Sequence, residues 1–123
     1  MKRGEIIISE KKITIVPVNG TVWLSDWQIA QLFEVFVSKV SSNIRSILKT
    51  EVLDERTVCQ TYYYKDGGSV EQYNLGMITA LAFRIKSYKA EIFRGWLMKK
   101  AVTNTVGQQI LRNIRWDNST LLN

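Results

Sequence analysis

Histidine is absent from this sequence, and cysteine and proline each occur once. The lack of histidine excludes histidine-based catalytic triads, Cys–His dyads and imidazole metal sites. The single cysteine, Cys59, cannot form an internal disulfide or a cysteine-rich zinc site, and we expect no metal or cofactor. One unpaired thiol fits a reducing compartment, so the expected location is the cytoplasm.

Long apolar runs are missing as well. The only apolar run near the N-terminus, at residues 6–8, is interrupted by polar residues 9–12, so we expect neither a secretory signal nor a membrane span. A chain of 123 residues is long enough for one core, and no repeat or linker divides it, which predicts a single domain over residues 1–123. The net charge of +6 favours an anionic partner such as nucleic acid.

Two strand-like segments open the chain, at residues 5–9 and 12–18. The pair Asn19-Gly20 follows, and because both residues tolerate positive φ, it predicts a tight turn after which residues 21–24 return antiparallel. Pro17 is typical of an edge position or a strand end. We therefore predict an N-terminal β-hairpin unit over residues 5–24.

The hydrophobic period then changes from that of a strand to that of a helix. Ser25 and Gln28 match a capping box, which predicts a helix over residues 26–33. A second helix is predicted to begin near Ser38, and its apolar residues form one narrow stripe. The stripe consists of Val40, Ile44, Ile47 and Leu48. Two short helices joined by a tight turn predict a helix-turn-helix over residues 25–49, whose second helix lies in the major groove.

A second hairpin is predicted over residues 57–73, with strands at 57–64 and 69–73 around a glycine-rich turn. We interpret it as a wing. Asn74 is a helix cap, and the apolar residues that follow predict a buried helix to about Lys86.

The predicted helical part continues through a last helix from Tyr88 to Asn104, or on to residue 112, so that it spans residues 74–112. A frayed tail at residues 113–123 completes the chain. The expected fold is thus α+β, a winged helix-turn-helix-like domain with an N-terminal β-hairpin, a wing hairpin and two C-terminal helices.

The face of the second helix opposite the stripe carries the candidate site. At about 100° per residue, it collects basic and small hydroxyl side chains and no acid. These are Ser38, Lys39, Ser42, Arg45, Ser46 and Lys49. Arg45 can reach a guanine edge or a phosphate, and Lys65 at the wing tip is a further candidate phosphate contact, with one or two of the neighbouring tyrosines. The alternative is an ordinary solvated helix face.

Basic residues are also frequent over residues 84–115, where Glu91 is the only acid. They do not share a helical face, so we interpret them as a diffuse positive field that assists the approach of DNA.

Several short segments, taken in order, resemble a known family. They are TVWLS at 21–25, QIAQLF at 28–33, LDE at 53–55, YNLGMI at 73–78, FRIKS at 83–87 and FRGW at 93–96. Over about residues 5–102 the chain resembles the amino-terminal region of the virulence-associated RhuM family of bacterial proteins. Residues 84–96 are also similar to the Bro-N domain of phage and viral antirepressor-like proteins. The RhuM resemblance implies a DNA-binding protein and no catalytic residues.

The chain departs from the RhuM pattern at the turn of the predicted helix-turn-helix. Glu34 replaces the usual glycine, which supplies positive φ at that position, and Phe36-Val37 replace a more polar pair. The chain also ends well before family members usually do, which implies a truncated member or a free-standing amino-terminal module.

Three functions compete. The leading hypothesis is a transcriptional or mobile-element-associated regulator that binds duplex DNA, with a homodimer left open and no membrane or small-molecule partner. The alternative is a protein-interaction or oligomerisation module that uses Trp27, Phe36 and Val37 with residues 93–98. An enzyme is the third hypothesis, and we expect no catalysis because the neighbouring carboxylates fit solvated surface better. Those carboxylates are Asp54, Glu55, Asp66 and Glu71.

Overall fold

A computed structural model of the protein describes residues 4–10, 12–18 and 20–103. Its elements, in chain order, are β1 (Glu5–Ile8), β2 (Ile13–Val16), α1 (Asp26–Phe33), α2 (Val37–Lys49), α3 (Glu55–Val58), β3 (Cys59–Tyr63), β4 (Ser69–Tyr73), α4 (Leu75–Ala82) and α5 (Tyr88–Thr103). The described chain is therefore α+β, with two small antiparallel hairpins, β1–β2 and β3–β4. The predicted tail at residues 113–123 lies outside it.

The N-terminal hairpin pairs β1 with β2, so that Ile6 faces Ile15 and Ile8 faces Ile13. Ile6 and Ile8 are buried while Ile7 between them is half exposed, as expected for a strand with one face on the core.

Residues 21–24 were predicted to pair antiparallel with this hairpin. The turn before them is present, but the pairing beyond Thr21 is wrong. Val18 and Thr21 exchange two backbone hydrogen bonds, of 2.8 and 3.3 Å, around Gly20 at φ 85°. The chain then leaves β2, because Val22 and Leu24 are buried in the core. Leu24 pairs with Tyr73 of β4 instead.

The helix pair α1–α2 follows the sequence prediction closely. The Ser25 hydroxyl accepts the Gln28 amide at 3.3 Å, and the Gln28 side chain accepts the Ser25 amide at 2.8 Å, which completes the capping box. The helix α2 begins at Val37, close to the predicted start.

Glu34 ends α1 in the left-handed conformation, with φ 57°. Its amide donates to the Gln31 carbonyl at 3.3 Å and the Val35 amide to the Ala30 carbonyl at 3.0 Å. These two bonds form a Schellman motif with glutamate at the position that glycine usually holds. The motif fixes the direction in which the chain enters α2.

The strand predicted from Thr57 begins only at Cys59. Asp54 accepts the Arg56 amide at 3.0 Å and caps the single turn α3, which takes up Thr57 and Val58. The hairpin that follows pairs Cys59 with Tyr73 and Tyr63 with Ser69. The acidic start of α3 was the sequence signal for this turn.

The helix α4 is capped by Asn74 as predicted, but it ends at Ala82 and not near Lys86. The Arg94 guanidinium donates to the carbonyl oxygens of Ala82 at 2.6 Å and Ile85 at 2.9 Å, so it satisfies acceptors that the helix end leaves open. The Ser87 hydroxyl then accepts an amide of the first turn of α5 at 3.1 Å.

One cluster of buried side chains joins the described elements. The helix α4 lies in it almost completely, and Phe33 of α1 contacts Phe93 of α5 with ring centroids 5.9 Å apart. Among the helices that the structure describes, none is both long and apolar enough to cross a membrane.

Candidate nucleic-acid interface

The helix α2 divides into a buried and an exposed face. Val40, Ile44 and Ile47 are buried against the core, and the half-buried Leu48 packs beside them. The predicted site residues lie away from this stripe: Ser38, Lys39, Ser42, Arg45 and Lys49 are exposed, and Ser46 is half-buried. The structure therefore brings six of the seven predicted residues to one helix, with no acid within it.

The position of α2 is fixed by its contact with α1. Ala30, 5 % exposed, provides the small side chain that a close crossing needs, and the Ser41 hydroxyl donates to the Asp26 carboxylate at 3.2 Å. On the exposed side, the Ser42 hydroxyl donates to the Lys39 carbonyl at 3.2 Å. The lone pairs of Ser42 remain available as hydrogen-bond acceptors.

Arg84 adds a cation to this face that the sequence did not assign to it. Its guanidinium donates to the Ser46 hydroxyl at 2.9 Å, and Arg84 itself is exposed. The two residues are far apart along the chain, and no local pattern joins them. Four cations, those of Lys39, Arg45, Lys49 and Arg84, thus lie on or beside the exposed face of α2.

Some of the basic residues that were predicted to form a diffuse positive field over residues 84–115 are bonded within the fold. Lys89 donates to the Ile8 carbonyl at 2.9 Å and holds α5 against β1. Arg94 is bonded to the end of α4, as described above. These two cations stabilise the fold, and those beyond residue 103 lie outside the described chain.

Acidic side chains stand at both ends of α2. Glu34 precedes it and Glu51 follows it, both exposed and both at φ 57°. A carboxylate repels phosphate, so the positive face of α2 is bounded at each end along the helix axis.

Apolar side chains are exposed where α2 begins. Phe36 is 86 % exposed and Val37 43 %, and Phe36 lines a hollow of about 510 Å³ with Glu34, Val35 and Lys39. The apolar surface predicted from residues 93–98 is wrong for Phe93 and Leu97, which are buried because that face of α5 packs on the core.

No family model, no curated protein and no solved structure matches this chain. The resemblance to the RhuM family stays a prediction.

The predicted wing is the hairpin β3–β4, and its tip holds Lys65 exposed. Asp66 beside it accepts the Gly68 amide at 2.9 Å and lowers the net charge of the tip. Within the parts of the chain described, no hydrogen bond or ring contact joins Lys65 to α2. The hairpin reaches the helix pair through Leu24, which adjoins the cap of α1 and pairs with β4.

The tyrosines of the hairpin β3–β4 differ in their surroundings, because Tyr73 packs against the core cluster while Tyr62, Tyr63 and Tyr64 lie near the turn. Tyr62 and Tyr64 make an edge-to-face contact with ring centroids 5.2 Å apart, and Tyr63 on the other face is 72 % exposed. The Tyr63 ring is therefore open to stacking or to backbone contact.

Three of the four carboxylates considered for catalysis, Asp54, Asp66 and Glu71, have local hydrogen-bond partners. Asp54 caps α3, and its backbone hydrogen bond with Arg56, helped by the Arg56 side chain, lowers the pKa of Asp54. Thr61 donates to Glu71. Over residues 4–10, 12–18 and 20–103, no three His, Cys, Asp or Glu side chains are grouped to hold a metal ion.

Cys59 is half-buried at the start of β3. Burial raises the pKa of its thiol to about 11, and the charges of Glu55 and Glu71 contribute in the same direction. A thiol that stays protonated at neutral pH is a poor nucleophile.

Proposed function

We propose that this protein binds duplex DNA as a regulator, with α1 and α2 acting as a helix-turn-helix and β3–β4 as its wing. The observation that carries the proposal is the exposed face of α2, which is basic, free of acid and rich in small hydroxyl side chains. Such a face is suited to approach the major groove closely. The resemblance to the RhuM family, in which DNA binding is the expected role, points the same way.

Each cation has a role that its place on α2 suggests. Arg45, at the middle of the exposed face, contacts a guanine edge or the phosphate next to it. Lys39 and Lys49, near the two ends, contact phosphates. Arg84 is held beside α2 by its hydrogen bond to Ser46 and is a third phosphate contact. Lys65 contacts the DNA backbone from the hairpin β3–β4.

Fluorescence anisotropy with a labelled duplex tests the proposal. Each phosphate contact adds about 0.9 to the slope of log K against log salt. We therefore expect affinity to fall steeply with salt, and Lys49→Ala to reduce the slope by about 1. Arg45→Ala should weaken binding by about 1–3 kcal/mol.

Arg56→Ala is the matched control for Arg45→Ala. It removes the same charge from a side chain that is 91 % exposed on α3, outside the helix pair α1–α2, and that is paired with Asp54 at 3.4 Å. Equal losses in the two variants would mean that net charge alone attracts the DNA. Undetectable binding to any duplex at low salt would remove the proposal.

A second candidate function is an oligomerisation or protein-interaction module. The exposure of Trp27, 53 %, and of Phe36, 86 %, favours it, since large exposed apolar groups often mark protein contacts. Light scattering on the native protein and on Trp27→Ser tests it. A concentration-dependent oligomer that Trp27→Ser dissociates would support this function.

A further inference from the structure

Phe36 contributes little to the fold of its own chain. It stands at the N-cap of α2, where its side chain makes no capping hydrogen bond, although serine is a residue that stabilises a helix from that position. Its ring is also 86 % exposed, and Val37 beside it is 43 % exposed. The ring is therefore open to a contact from outside the chain.

The neighbours of Phe36 limit what that contact is. Lys39 lines the same hollow, and the positive charge continues from it along α2 to Arg45, which complements a polyanion. Glu34, which also lines the hollow, repels phosphate, but its carboxylate can accept hydrogen bonds from the amino groups of adenine and cytosine. Those amino groups lie on base edges. The N-terminal end of α2 therefore fits the floor of the major groove better than the phosphate backbone.

We propose that Phe36 packs on the C5 methyl groups of thymine bases, so that the protein prefers duplexes with A·T pairs at the N-terminal end of α2. The thymine methyl is the apolar group that the major groove presents, and a phenyl ring is among its recognised partners. The proposal rests on the proposed function and deepens it by naming the base. Each methyl group taken out of water increases affinity about fourfold.

Two duplexes that differ only in methyl groups test this proposal. One alternates dA and dT, and the other carries deoxyuridine in place of every thymidine. Anisotropy titrations of the native protein should show affinity for the thymidine duplex higher by about fourfold or more. Phe36→Ser should bind the two duplexes with equal affinity, while Phe36→Leu should retain part of the preference.

Tyr88→Ser is the matched control, because Tyr88 is an exposed aromatic residue, 61 %, on α5. It should keep the full preference for thymidine. Equal affinity of the native protein for the two duplexes, or an unchanged preference in Phe36→Ser, overturns the thymine contact and leaves the proposed function standing. Binding to neither duplex at low salt also overturns the thymine contact, and only undetectable binding to any duplex, including those that contain G·C pairs, removes the proposed function. Light scattering adds one further outcome: if Phe36→Ser dissociates an oligomer without changing the preference, Phe36 is a protein contact and the proposal is wrong.

Discussion

Replacing Glu34 by glycine should stabilise the protein. A side chain at positive φ costs about 1–2 kcal/mol, and Glu34 has φ 57° in the Schellman motif that ends α1. Glycine removes this strain, and its greater freedom in the unfolded chain offsets about 0.5–1 kcal/mol of the gain. The substitution also removes a carboxylate from the negative end of α1, which adds about 0.3 kcal/mol. We expect a net gain of about 1 kcal/mol and a rise in Tm of about 4 °C.

Urea unfolding followed by circular dichroism measures the effect, and Glu34→Gln separates its two causes. Glutamine removes the charge but keeps the strained backbone, so it should give only the smaller electrostatic part. If Glu34→Gly is no more stable than Glu34→Gln, the argument from backbone strain is refuted.

Three further predictions concern the core and the helix ends. The buried hydroxyl of Thr79 has no hydrogen-bond partner in the described chain, so Thr79→Val should raise the free energy of unfolding by about 1 kcal/mol. Thr79→Ala should not match this gain because it leaves a cavity. Arg94→Lys should lower the free energy of unfolding by about 1.5–3 kcal/mol, because one guanidinium nitrogen, Nη1, makes both bonds to the end of α4 and the ammonium of the shorter lysine side chain does not reach its position. Burial raises the pKa of Cys59 from 9.0 to about 11 and that of Tyr73 from 10.0 to about 12. Both groups therefore ionise at lower pH in the unfolded chain than in the folded protein. The free energy of unfolding should fall as the pH rises from the lower to the higher pKa of each group. Tyr73→Phe should flatten this fall in urea midpoints at alkaline pH, and an unchanged fall would contradict the cause given.

Features that depend on residues close together in the sequence were predicted well. Ser25 and Gln28 are three residues apart, and the stripe of α2 repeats with the helical period, so their geometry follows from local rules. The left-handed turn at Glu34 was predicted from the place where glycine was expected. The six candidate residues of α2 were assigned to its exposed face by the same periodicity.

Features that need distant partners were missed. The end of α4 at Ala82 depends on the guanidinium of Arg94, and the pairing of Leu24 depends on Tyr73 in a strand far along the chain. Arg84 was assigned to a diffuse field for the same reason, because its contact with α2 exists only after α2 and α4 have packed. Periodicity within one helix carries no information about such contacts.

The bond between Arg84 and Ser46 limits how the proposed interface can be transplanted. A peptide or graft of residues 25–49 carries Lys39, Arg45 and Lys49, but the fourth cation arrives from the end of α4. Transfer of the proposed interface to another scaffold would therefore require a receiving protein that supplies an arginine at the same place beside the helix. Without that arginine, the graft would have the same two helices but would lack one of the four cations.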